Sequence, residues 1–181
     1  MNKVLFWVTT LFVSLSFQAD ETFIERQGQI TFFSYTAVEN IEATNNQVLS
    51  QFNPNTGEIA VSILMRAFIF KKKLMRQHFN ESYIESDLYP KATFTGFIEG
   101  FNSNLTDPQT KIIKGDFTLK GITTPMEFKA DINQKNGDYQ ITGELEVNID
   151  DYKIRVPKLL APNIAKTIQV TFNFQYEPYE Q

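Results

Sequence analysis

The chain has 181 residues, 42% hydrophobic and 21% charged, with a formal net charge of −4. That is the composition of one ordinary globular domain; it excludes a disordered chain, and the negative balance argues against nucleic acid and against anionic membrane surfaces as partners. Cysteine is absent, which excludes thiol nucleophiles, disulfides, Cys-ligated zinc, iron–sulfur clusters and anchoring through a lipidated N-terminal cysteine.

Residues 1–19 read as a secretory signal peptide. Asn2 and Lys3 give a short positive start, Val4 to Phe17 is apolar or hydroxylated, and Ser16 to Asp20 offers small residues for cleavage. Cleavage is expected after Ala19, with Ser16 as the alternative. The run is short for a membrane span. Residues 20–181 then form a single exported domain.

Thr22 to Tyr35 has the pattern of one or two strands, broken at Gln27-Gly28. Ile41 to Phe52 alternates loosely, and Asn53-Pro54-Asn55-Thr56-Gly57 is a turn. Glu58 to Phe70 reads as one strand with Ile59, Val61, Ile63, Met65, Ala67 and Ile69 on one face. Lys71 to Ser82 breaks the period of two. Leu74, Met75, His78 and Phe79 fall at helical spacing, so a short helix is predicted there. Pro90 ends the irregular part. Strands resume at Lys91 to Phe101, with Ala92, Phe94, Gly96 and Ile98 facing one way, and Asn102 to Asp107 is a polar loop.

Gly115 to Ile132 is the most informative stretch. Phe117 and Leu119 oppose Asp116, Thr118 and Lys120. Met126, Phe128, Ala130 and Ile132 then oppose Glu127, Lys129 and Asp131. Alternation of this kind makes a hairpin with one dry face. The turn is placed at Gly121 to Pro125. A second turn falls at Asn136-Gly137. Tyr139 to Ile149 alternates again, 151–165 is irregular, and Lys166 to Glu177 sets Ile168, Val170, Phe172, Phe174 and Tyr176 against polar neighbours.

Some eight strands joined mostly by short links pair antiparallel. Seventeen Phe and seven Tyr suit strands and barrel interiors. One-sided strands hide their dry face by closing on themselves or stacking. An eight-stranded barrel is just wide enough to fill itself or to hold one small ligand.

The chemistry-bearing residues are few. His78 is the single histidine, so any Ser-His-Asp set would have to use it. Its neighbours Gln77 and Asn80 are amides, and it is expected to bond a loop carbonyl and fix the helix. No His spacing suits a metal, and neither metal nor cofactor is expected. Asp150-Asp151 reads as a turn cap and Glu144/Glu146 as a wet strand face. Lys71-Lys72-Lys73, with Arg66 and Arg76 nearby, is the one basic cluster. It could meet an anionic head group at a barrel mouth or steer the protein towards an anionic membrane. The plain reading is a solvated helix start, which runs of like charge favour.

Two segments carry a family resemblance. Arg76-Gln77-His78-Phe79 through Tyr89-Pro90-Lys91-Ala92-Thr93-Phe94, and Gly115 to Met126 with its Gly-x-x-Thr-x-x-Gly-Ile-Thr-x-Pro arrangement, resemble the YceI-like family. The likeness extends over most of residues 22–177. It departs at Phe79, where Leu is usual, and at Tyr83-Ile84-Glu85, where a Phe-Phe-Asp type of run is commoner.

The resemblance implies an all-β, antiparallel, eight-stranded lipocalin-like barrel with one short helix, periplasmic or secreted. It implies a long apolar ligand, a polyisoprenoid or fatty-acid-like lipid, held in the lumen for sequestration or transport. It brings no catalytic residues. Under it, Phe94, Ile98, Phe117, Leu119, Phe128, Leu145, Val147, Val170, Phe172 and Phe174 change from core to lumen wall. Lys71, Lys72, Lys73, Arg76 and His78 become candidates for the mouth. Transient membrane contact fits this picture, and oligomeric state stays open, a homodimer included. Two other readings remain: an enzyme using the lumen with His78 as acid or base, and an interaction module whose barrel is only core.

Overall fold

A computed structural model describes residues 22–179. Residues 1–19, read from the sequence as a signal peptide, lie outside the described residues. The described residues form nine strands: β1 Phe23–Ser34, β2 Ile41–Phe52, β3 Glu58–Leu64, β4 Ile69–Phe70, β5 Lys91–Ile98, β6 Gln109–Leu119, β7 Ile122–Lys135, β8 Asp138–Asn148 and β9 Thr167–Pro178. Eight of them, all but β4, run β1-β2-β3-β5-β6-β7-β8-β9 and back to β1, every pair antiparallel. The sheet thus closes on itself as a barrel. The short helix α1 spans Lys73–His78 and continues as one wider turn over Phe79–Tyr83, closed by the Ile84 N–H donating to the Phe79 carbonyl at 2.9 Å.

Three local features depart from the pattern in the sequence, each for a physical reason. The strand expected over Glu58 to Phe70 stops at Leu64. A 3-10 turn over Met65–Ala67 intervenes, and Ile69–Phe70 pairs separately with Ala43 and Thr44 of β2. The turn resets the alternation, so Ile69 is 65% exposed while Phe68 is buried. The Gly115–Ile132 hairpin turns on Lys120-Gly121 alone, both at positive φ, with Leu119 opposite Ile122. This is the two-residue turn whose twist matches paired strands; Ile122 to Pro125 therefore belong to β7 rather than to the turn. In β2 an extra residue is accommodated where Gly28 pairs with Val48 and Ile30 with Asn45. That bulge shifts the inward set from Ala43 and Asn45 to Val48, Ser50 and Phe52, which is why the alternation there looks loose.

The two ends of the barrel differ. At one end the links are 53–57, 99–108 and 136–137, and the interior is solid with rings. Phe23 lies edge-on to Tyr139 at 4.9 Å, and Phe52 meets Phe101 at 5.4 Å and Tyr139 at 5.3 Å. Phe128, Phe172 and Phe174 continue this packing towards the middle. The Ser50 hydroxyl donates to the Ala60 carbonyl at 3.0 Å and lies 2.7 Å from the Tyr176 hydroxyl, while the buried Gln134 Oε1 has no partner among the described residues. At the other end lie the links 35–40, 65–90, 120–121 and 149–166.

At that second end the wall is split. β7 and β8 pair from Ala130/Gly143 to Lys135/Asp138. Beyond that, β7 from Ile122 to Lys129 pairs with β6, and β8 from Glu144 to Asn148 pairs with β9. Pro125 sits on this unpaired edge of β7, where its missing N–H costs no ladder bond. The segment after β8 fills the gap. Its first turn, Ile149–Tyr152, is capped by the Asn148 side chain, which accepts from the Asp150 N–H at 3.0 Å. Buried Tyr152 then shares a short hydrogen bond with Thr124 of β7 and sets its ring against Phe117.

Candidate functional site

A cavity of about 390 Å³ occupies the second end of the barrel. The strands contribute their last inward residues before the mouth: Ile30, Phe32 and Ser34 from β1, Ile63 from β3, Ala92 from β5, Phe117 and Leu119 from β6, Val147 from β8, Ile168 and Val170 from β9. The two long links complete it. Met65, Phe68, Phe70, Leu74, Met75, Phe79, Tyr83 and Ile84 come from 65–90. Ile149, Ile154, Val156, Leu160 and Ile164 come from 149–166. Exposed Leu74 and Lys72 are part of the lining, so the cavity reaches solvent beside α1.

The lining is almost wholly apolar. Its polar members are Ser34, Glu39, Lys72, His78, Asn163 and the Tyr83 hydroxyl. Lys72 and Glu39 are ion-paired to each other. Ser34 is committed to structure: its hydroxyl oxygen accepts from the Ala165 N–H at 2.8 Å, which ties the 149–166 segment to the end of β1. Burial raises the Tyr83 phenol above its ordinary range, so it stays neutral. A quartet of rings braces the wall beneath α1: Phe79 stacks on Phe32 at 5.5 Å and meets Phe68 at 5.6 Å and Phe70 at 5.1 Å. Lys120 anchors the far end of this excursion by donating to the Tyr83 carbonyl at 3.0 Å.

The ten lumen residues expected from the sequence fall into two groups. Phe117, Leu119, Val147 and Val170 border the cavity. Phe94, Ile98, Phe128, Leu145, Phe172 and Phe174 are not part of its lining; they belong to the packed interior or lie against it. Phe128, for example, has Phe94 at 5.5 Å and Phe172 at 5.7 Å.

Of the five mouth residues, Lys72 and His78 touch the cavity. Lys71 is paired with Glu42 at 3.1 Å, and Lys73 and Arg76 are exposed on α1. His78 does not make the expected bond to a loop carbonyl. Among the described residues its ring stands 6.5 Å from that of Tyr83 and no side-chain hydrogen bond orients it. Among the described residues no three His, Asp or Glu side chains gather as a metal site.

Most of the wall contributed by the two long links was missed from the sequence. The available signal was apolar residues recurring inside irregular segments: Leu74, Met75 and Phe79 in one, Val156, Leu160 and Ile164 in the other. A solvated loop has no reason to carry them.

The YceI-like domain model matches residues 13–176. The chain belongs to the YceI-like family. Solved structures share the fold at low identity. A polyisoprenoid-binding domain from Saccharophagus degradans, implicated in plant cell wall breakdown, superposes with a TM-score of 0.74 at 13% identity, over 88% of this chain and 99% of that one. Burkholderia cenocepacia BcnA gives 0.70 at 17% identity, over 82% and 95%. The Campylobacter jejuni YceI protein gives 0.57 at 13%, over 99% and 94%. No curated relative matches the chain in sequence. The YceI-like barrel of this chain is therefore the architecture those proteins share, with its cavity at the end that carries the long links.

Proposed function

We infer that the protein is an exported binding protein that holds a long apolar ligand, a polyisoprenoid or fatty-acid-like lipid, for sequestration or transport. One observation carries the reading: the barrel is solid at one end and hollow at the other, and the hollow is lined almost entirely by hydrocarbon and opens to solvent. A volume of about 390 Å³ lies at the small end of the roughly 300–1,000 Å³ typical of ligand pockets. It suits one apolar tail rather than a bulky polar molecule. The polyisoprenoid-binding relative supports the ligand class.

Burial alone supplies most of the energy. Each buried CH₂ is worth about 0.8 kcal/mol, so the dozen or so carbons that fit gain on the order of 10 kcal/mol against an association cost of roughly 4–15 kcal/mol. The reading is of a carrier, with no bond made or broken. The proposed location is the periplasm or outside the cell, where such a ligand needs shelter from water.

Organic-solvent extraction of protein purified without detergent, followed by mass spectrometry, tests this. A long-chain apolar compound at near-stoichiometric amount is expected. Protein that is consistently empty, and that takes up no added prenyl or acyl chain, would contradict it.

A further inference from the structure

We propose that the cavity end of the barrel is a docking surface for an anionic lipid bilayer. The inference extends the carrier reading by naming the surface from which ligand is taken up or to which it is delivered. It rests on the charge distribution. The four links at the cavity end, residues 35–40, 65–90, 120–121 and 149–166, hold ten Lys or Arg and six Asp or Glu, an excess of four positive charges. The described residues 22–179 hold 16 Lys or Arg and 18 Asp or Glu, a net of −2, so the rest of them is at −6. The barrel is strongly dipolar, with its positive pole at the mouth.

The excess is concentrated. No acidic residue occurs between Glu58 and Glu81, or between Asp151 and Glu177. The acids at this end are largely engaged: Glu39 with Lys72, Asp87 with Arg66, Asp150 with Lys166 and Glu85 with Lys120, while Glu42 at the start of β2 pairs with Lys71. Glu81 accepts from Gln77, and Asp151 is exposed. Among the described residues Lys73, Arg76, Lys153, Arg155 and Lys158 have no carboxylate partner. Two exposed leucines stand among these free cations, Leu74 at 61% and Leu159 at 89%. They project from the same two links that wall the cavity.

Cations around apolar tips are what a headgroup layer accepts: the tips enter the acyl boundary and the long basic side chains stay at headgroup level. A nucleic acid would meet the same charge but has no use for the leucines, and the negative barrel wall would oppose it beyond the mouth.

The test uses the purified protein with vesicles of phosphatidylcholine, and with vesicles in which part of the lipid is phosphatidylglycerol. Sedimentation with the mixed vesicles is expected at low salt. It should be lost as salt rises from about 0.01 to 1 M, across which the screening length falls from roughly 30 to 3 Å. Lys73→Gln with Lys158→Gln should weaken binding roughly twenty-five-fold, about fivefold per cation. Leu159→Asp should also weaken it, and because that side chain packs on nothing, folding should be unchanged. Equal binding to both vesicles, no binding, indifference to the paired Lys substitutions, or equal capture of short duplex DNA would each overturn the proposal. Ligand content of the same samples is read by solvent extraction. Protein that carries ligand yet ignores vesicles overturns the docking surface alone. Protein that docks but is empty and takes up no added prenyl or acyl chain supports the surface and overturns the carrier reading.

Discussion

Val170 and Phe172 stand two residues apart on the same face of β9, yet they face different interiors. Val170 borders the cavity, pairing in the wall with Phe32 on one side and Leu145 on the other. Phe172 lies 5.7 Å from the Phe128 ring and 5.2 Å from that of Phe174, inside the packed half. The same boundary falls between Ala92 and Phe94 on β5. The barrel thus has a floor at a definite height, and substitutions above and below it should behave differently.

Phe172→Ala should cost about 3–5 kcal/mol, the range for truncating a large ring in a packed core. Val170→Ala removes less hydrocarbon from a wall that already faces space, and should cost clearly less. Chemical denaturation of the two variants in ligand-stripped protein checks the order. Equal losses would mean that the floor is not where the packing places it.

Stability should fall at alkaline pH through buried tyrosines. Tyr176 is fully buried, and burial pushes its phenol far above the ordinary range, the bond to Ser50 opposing this only in part. Burial also raises Tyr83 and Tyr152. The unfolded chain ionises its tyrosines near pH 10. The contribution of a neutral buried phenol is therefore fully present below about pH 10 and is lost as pH rises above it towards the folded value. The Tyr176 hydroxyl lies 2.7 Å from that of Ser50. Tyr176→Phe should cost about 1 kcal/mol at neutral pH and flatten the alkaline limb. Thermal unfolding at a series of pH values measures both.

The Glu39–Lys72 pair should set the charge that the cavity tolerates. Both side chains reach the lining, and together they are neutral. Glu39→Gln leaves Lys72 unpaired at the entrance, where it can hold a carboxylate or phosphate. Retention of a fatty acid relative to the matching alcohol should rise severalfold. Stability should change by less than about 1 kcal/mol, as for other partly exposed ion pairs. Competition between the two ligands in one sample reads the ratio.

The fold was largely legible because period-two alternation survives in most strands. Gly115 to Ile132 and Lys166 to Glu177 show it without interruption, and short links force antiparallel neighbours. Phase was lost only where the backbone inserts something: the bulge before Val48, and the 3-10 turn at Met65–Ala67 that reversed Ile69 and Phe68. The candidate site was half legible. Alternation says which way Phe94 or Val170 points, since that is a property of one strand. It says nothing of height along the barrel, which depends on how eight strands are staggered. Phe94, Phe172 and Phe174 were placed correctly in direction, while their distance from the cavity was decided by the ring packing around Phe128. The wall supplied by 65–90 and 149–166 has no period to read at all.

The most direct test of the central claim is the native mass of protein purified without detergent, set beside a Val170→Trp variant that fills the cavity. The account predicts one apolar molecule per chain, released by organic solvent, and a variant that stays folded but arrives empty. Bare mass in the parent protein after exposure to long prenyl and acyl chains, or undiminished ligand in Val170→Trp, would contradict it.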